Sequence, residues 1–153
     1  MTFDHAFSLA NTTALVCWAA LVLLPRGRWM AATLRYGIVA GFCVVYAALL
    51  VAYFTSAHGG GFNSIAQVRA LFGPDANVLA GWIHYLAWDL FVGLWIAERA
   101  DALGVSRWVQ GPVLFATFMF GPVGYLLFVG MEAALRWRPQ DDGSARIGRE
   151  ALS

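Results

Sequence analysis

Four long apolar runs, separated by short polar stretches, order this sequence. The first runs from about Phe7 to Leu24, where Pro25 stops it. The second runs from about Ala32 to Ser56, the third from about Val78 to Arg99, and the fourth from Gly111 to about Trp137. A membrane-crossing helix needs about 20 apolar residues at about 1.5 Å each. Between the second and third runs, His58-Gly59-Gly60-Gly61 reads as a turn. Ser64 to Phe72 reads as a helix too short to cross. Its Ile65, Val68, Leu71 and Phe72 share a face, and Ser64 with Gln67 fits an S-x-x-Q capping box. The pattern predicts an all-α, integral membrane four-helix bundle with a short interfacial helix between spans two and three. Residues 1–138 form its single domain, and the polar tail 139–153 is expected to be disordered. Four crossings would put both ends on one side.

Within the runs, small and polar residues mark contacts. Gly37 and Gly41 form a G-x-x-x-G pair that allows close helix approach, within the bundle or between two copies. Gly121-Pro122-Val123-Gly124 interrupts the fourth run and predicts a kink. Asn11, Thr12 and Thr13 read as capping and headgroup contacts, with Asn11 bonding another helix as the alternative. Arg26, Arg28 and Arg35 around Trp29 mark a membrane interface. With four spans, the arginines divide five against five, so the orientation stays open.

Composition strengthens the membrane reading. The chain is 60% hydrophobic and 12% charged, against about 25% charged in soluble domains. A net charge of +1 gives no field for nucleic acid. All ten basic residues are arginine, so lysine Schiff-base chemistry is excluded. Cys17 and Cys43 lie in apolar runs and read as buried hydrophobes. Three histidines are too few for a histidine-rich di-iron site, and no metal ligand set stands out. Met1 to Ala10 has no basic residue, unlike a signal peptide.

The third run, GWIHYLAWDLFVGLWIAER, carries the candidate chemistry. An ionised Asp89 near its middle would cost about 2.5–3.5 kcal/mol, which makes it a functional candidate. Trp82, Tyr85 and Asp89 share one helix face, and Gly93 continues it. His84, Trp88, Phe91 and Trp95 form a second face. His84 and Asp89 stand about 140° apart around the axis, at about 100° per residue. Either each meets a different neighbour, or the two flank one ligand lying across the helix. The aromatic wall suits a long hydrophobic ligand. Structural roles stand beside these: an Asp89 pairing with arginine or tyrosine, and a His84 bridging helices. Glu132 is a weaker second acid.

The stretch GWIHYLAWDLFVGLWIAERADALGVSRW, with NSIAQVRALF before it and GPVLFATFMFGPVGYLLF after it, resembles the abscisic-acid-deficient-four-like membrane family. A plant member of that family is associated with neoxanthin synthesis. The likeness runs from Phe7 to Phe128, through FSLAN and the W-x-H-x-L-A-x-D-L-F-V-G and F-G-P-V-G cores. Trp88 replaces the family's phenylalanine and keeps an aromatic. The resemblance implies conversion of an epoxy-carotenoid to an allenic one, an isomerisation that needs no redox cofactor. In that scheme a neutral Asp89 carboxyl is the acid and His84 accepts the proton. Trp82, Tyr85, Trp88, Gly93, Gly121 and Pro122 are the candidate substrate contacts. The expected partners are a carotenoid-like small molecule, the bilayer, and a second copy through Gly37 and Gly41. The expected location is a bacterial inner membrane, crossed several times. The alternatives are a non-catalytic carotenoid-binding or partner-organising protein and a small proton-coupled carrier.

Overall fold

The computed structural model describes residues 2–137, and all regular structure among them is helical. The polar tail expected at 139–153 lies outside them. Six helices follow one another: α1 (Phe3–Leu23), α2 (Arg28–Ser56), α3 (Ile65–Leu71), α4 (Asp75–Ala102), α5 (Arg107–Phe120) and α6 (Pro122–Arg136). α1, α2 and α4 are long and apolar enough to cross a membrane.

α1 starts on Thr2, whose hydroxyl accepts from the His5 N–H at 3.4 Å. α2 widens into a π-helical stretch over Thr33–Val39. Leu34 and Val39, both buried, stand five residues apart, the spacing of the π hydrogen bond. The wider turn thus brings both to the core. α3 is capped as its sequence predicts: the Gln67 N–H donates to the Ser64 hydroxyl at 3.2 Å. The Gln67 side chain reaches back to the Asn63 N–H at 3.0 Å. α4 packs against α1, α2 and α5. Its Leu90, Leu94, Ile96, Ala97 and Ala100 are fully enclosed.

Contacts between the long helices place their ends. Phe3 meets Tyr53 at 5.7 Å between ring centres, and Phe7 meets Trp82 at 5.5 Å, at the end that α3 covers. The opposite end is held by Arg26, whose side chain is 4% exposed. Arg26 donates to the Leu21 carbonyl at 2.8 Å, to Asp101 at 3.2 Å, and to Gln110. Gln110 donates in turn to Asp101 at 2.8 Å and to the Val105 carbonyl at 2.7 Å. Burial lowers the Arg26 pKa, and the Asp101 charge opposes that shift.

The fourth apolar run is not one kinked helix. It breaks at Gly121, whose φ of 24° is open to glycine and strained for other residues. Pro122 then begins α6, a position that needs no backbone N–H. The two arms fold back on each other. α5 starts beside Asp101, through Gln110, and reaches Gly121 beside Asp89. α6 returns along α4. Tyr125 and Phe128 lie 6.0 and 5.4 Å from Trp95, and Glu132 accepts from Arg99 at 2.7 Å. Gly124 lets the arms close, since a Cβ there would overlap Thr117. Each arm is about 21–23 Å long at about 1.5 Å per residue, short of the ~30 Å hydrocarbon core. The expected four-span bundle is therefore three long helices plus a helical hairpin, because a glycine–proline pair ends a helix where a lone proline would bend it.

This corrects the placement of the chain ends. Arg136 lies at the Arg26 end, opposite Thr2. Arg26, Arg28, Arg35, Arg99, Arg107 and Arg136 all belong to that half of the bundle, as do the exposed Trp29, Trp108 and Trp137. Among the described residues Arg69, on α3, is the one arginine at the other end.

Candidate functional site

Asp89 sits halfway along α4, one helical turn beyond Tyr85 and opposite the hairpin turn. A Cβ on Gly121 would collide with its carboxylate, so glycine there lets the turn close over the acid. The Asp89 Oδ2 is buried and has no hydrogen-bond partner among the described residues. Buried polar atoms are nearly always paired, so each exception calls for an explanation.

The carboxyl lines a cavity of about 330 Å³ between α1, α4 and α5. Trp18, Trp82, Tyr85 and Phe118 supply aromatic walls, and Asn11 the remaining polar side chain. Trp82 is tied to α1: its indole N–H donates to the Asn11 Oδ1 at 2.7 Å. The alternative stated for Asn11, a bond to another helix, is the one observed. The Tyr85 hydroxyl donates to the Met119 carbonyl at 3.5 Å, tying α4 to the end of α5. Leu15 and Met119 border the cavity and are exposed on the outer surface. The opening therefore faces the apolar flank of the bundle.

The candidate residues separate into distinct places. Trp82, Tyr85 and Asp89 meet at this cavity, and Gly121 lies against the Asp89 carboxylate. Pro122 starts the helix beside it. Gly93 is buried under the Trp18 indole, where a side chain would collide, so it serves the packing of α1 on α4. His84 and Trp88 point the other way. Trp88 packs on His84 and Phe91. His84 lines a separate cavity with Tyr46, its ring 5.2 Å away. The structure thus does not bring His84 and Asp89 to one ligand, as their angular separation on the helix allowed. Glu132, the weaker acid, accepts from Arg99 at 2.7 Å and from Arg136 at 2.7 Å. Sequence reasoning missed Trp18, Phe118 and Met119, since nothing in a helix pattern shows which α1 and α5 residues face α4. Gly37 and Gly41 are exposed, and no Cβ added at Gly41 would meet anything within 4 Å.

An apolar helical bundle with a half-buried carboxyl on the wall of a cavity that opens on its apolar flank defines an all-helical membrane protein with an acidic pocket. The chain belongs to the ABA DEFICIENT 4-like family, whose model matches residues 5–128. That membership makes it a membrane protein related to neoxanthin synthesis. No curated protein and no solved structure matches the chain.

Proposed function

We propose that this is a multi-pass protein of a bacterial inner membrane that isomerises the oxygenated end ring of a carotenoid or related isoprenoid. The observation that carries it is the unpartnered Oδ2 of Asp89, buried on the wall of an aromatic cavity. About 330 Å³ lies at the low end of the ~300–1,000 Å³ range of small-molecule sites. It suits one end of a long molecule whose remainder stays in lipid.

In an epoxide-to-allene isomerisation, the neutral Asp89 carboxyl gives its proton to the epoxide oxygen. The carbon–oxygen bond nearer the polyene breaks, and the oxygen stays on the ring as a hydroxyl. The adjacent chain carbon loses a proton, and its electron pair forms the cumulated double bond. The carboxylate just formed accepts that proton, so no cofactor or net proton is consumed. His84, on the far side of α4, has no part in this step. Trp82 and Tyr85 position the ring.

The arginine distribution supports an orientation. By the positive-inside rule, the Arg26 end faces the cytoplasm and Thr2 the opposite side.

The test is expression in a host that makes an epoxy-carotenoid, with chromatography of the pigments. Wild type should convert the pigment, and Asp89→Asn should lose about 10²–10⁴-fold of the rate, the usual contribution of a general acid. Conversion at the wild-type rate in Asp89→Asn would overturn the acid role. A pigment that copurifies unchanged with wild type would replace catalysis by binding.

A further inference from the structure

We infer that the cavity around His84 is a second ligand site, built for the alcohol-bearing end of a neutral, ring-sized apolar molecule. It measures about 390 Å³ and lies between α2, α3 and α4, on the opposite side of α4 from Asp89. Neither the family membership nor the Asp89 reading assigns it a role.

Beside the site a buried polar atom lacks a donor. Asn77 is 5% exposed and borders the cavity. Its amide nitrogen is committed to the Leu71 carbonyl at 2.8 Å. That bond fixes which way the amide faces and leaves Oδ1 buried without a partner among the described residues. An unpaired buried acceptor is costly, and a ligand O–H donated to it removes that cost. His84 stands on the same wall and offers a ring nitrogen that can accept or donate.

The rest of the lining selects against charge. Tyr46, Leu50, Phe54, Phe62 and Phe72 are among its walls, and among the described residues no acidic residue or arginine borders it. An ionised headgroup would find no counter-charge there. The cover is also a built one. α3 lies over the cavity through Val68 and Leu71, and its incoming loop is pinned by the Gly61 N–H to the Gln67 carbonyl at 3.2 Å. Gly81 lets the Phe72 ring lie against the α4 backbone, where a Cβ would strike it. The position, at the bundle end under a short amphipathic helix, suits a molecule with an alcohol near the headgroups and an apolar body below.

The test compares 3-hydroxy-β-ionone with β-ionone, the same ring with and without the alcohol. Binding to the purified full chain in detergent is measured by equilibrium dialysis. The hydroxylated probe should bind about tenfold more tightly, the effect of pairing one buried acceptor. Val68→Trp fills the cavity from its exposed rim and should abolish that preference, with the fold checked by circular dichroism. Asp89→Asn should leave the preference intact, which separates this site from the acidic pocket. Equal affinity for the two probes in wild type would overturn the inference. So would a tenfold preference that survives Val68→Trp or is lost in Asp89→Asn.

Discussion

Gly121→Ala should expose how tightly the hairpin turn and the acid are coupled. Two separate costs meet at that position. The first is conformational: a φ of 24° is strained for any residue with a Cβ, at about 1–3 kcal/mol. The second is steric, because the new methyl group lands on the Asp89 carboxylate. Overpacking of that kind costs about 1–3 kcal/mol. The single substitution should therefore lower stability by about 2–6 kcal/mol, the sum of the two. In an Asp89→Ala background the collision disappears and the backbone strain stays. Gly121→Ala should then cost only about 1–3 kcal/mol, so the double-mutant cycle should return a coupling of about 1–3 kcal/mol. Reversible unfolding in mixed detergent and dodecyl sulfate micelles, followed by circular dichroism, measures all four proteins. Asp89→Ala alone should not lower stability, since it removes a buried oxygen that nothing satisfies. Equal losses from Gly121→Ala in both backgrounds would refute the contact between the turn and the acid.

The hairpin predicts sidedness: with Cys17 and Cys43 replaced, a membrane-impermeant maleimide should label Asn63→Cys from one side and both Gly104→Cys and Trp137→Cys from the other. Four crossings would instead place residue 137 with residue 63, so shared labelling of those two would refute the hairpin. Gly93→Ala should destabilise by about 1–3 kcal/mol because its Cβ meets the Trp18 indole, and Trp18→Leu should recover much of the loss in the same unfolding assay. Gly130→Ala, inside α6, where a Cβ would meet nothing within 4 Å, should gain about 0.5–1 kcal/mol as an internal control. Arg26→Ala leaves the Gln110 oxygen and the Leu21 carbonyl short of a donor, while Asp101 stays partly exposed and keeps its Gln110 bond, and should cost about 1–3 kcal/mol, as loss of a partner for buried acceptors does.

Hydropathy located the three long helices within a few residues, because a membrane helix must satisfy its own backbone and so advertises its length in the sequence. The α3 cap was legible for a similar local reason: Ser64 and Gln67 act within one turn. The fourth apolar run was misread because length cannot distinguish a crossing from a hairpin. Its residues Gly111 to Trp137 are long enough for either. The signal that decides is the adjacency of Gly121 and Pro122, read together with Gly124. Proline alone bends a helix. A glycine before it can take a positive φ, and a small residue three places later lets the arms touch. The same break explains why Asp89 was found and its setting was not. The acid stood out because a carboxyl in an apolar run is costly wherever it lies. What surrounds it depends on where the chain reverses, and that reversal sets Gly121, Phe118 and Met119 against α4. His84 shows the converse. Its 140° offset from Asp89, reckoned at about 100° per residue, already allowed two separate sites on one helix. The helix axis alone could not choose, and the packing of α2 and α3 on one side and α1 and α5 on the other does. A proton-handling group on each side of α4 therefore describes two pockets with different walls, one bordered by a carboxyl and one by an imidazole and an amide.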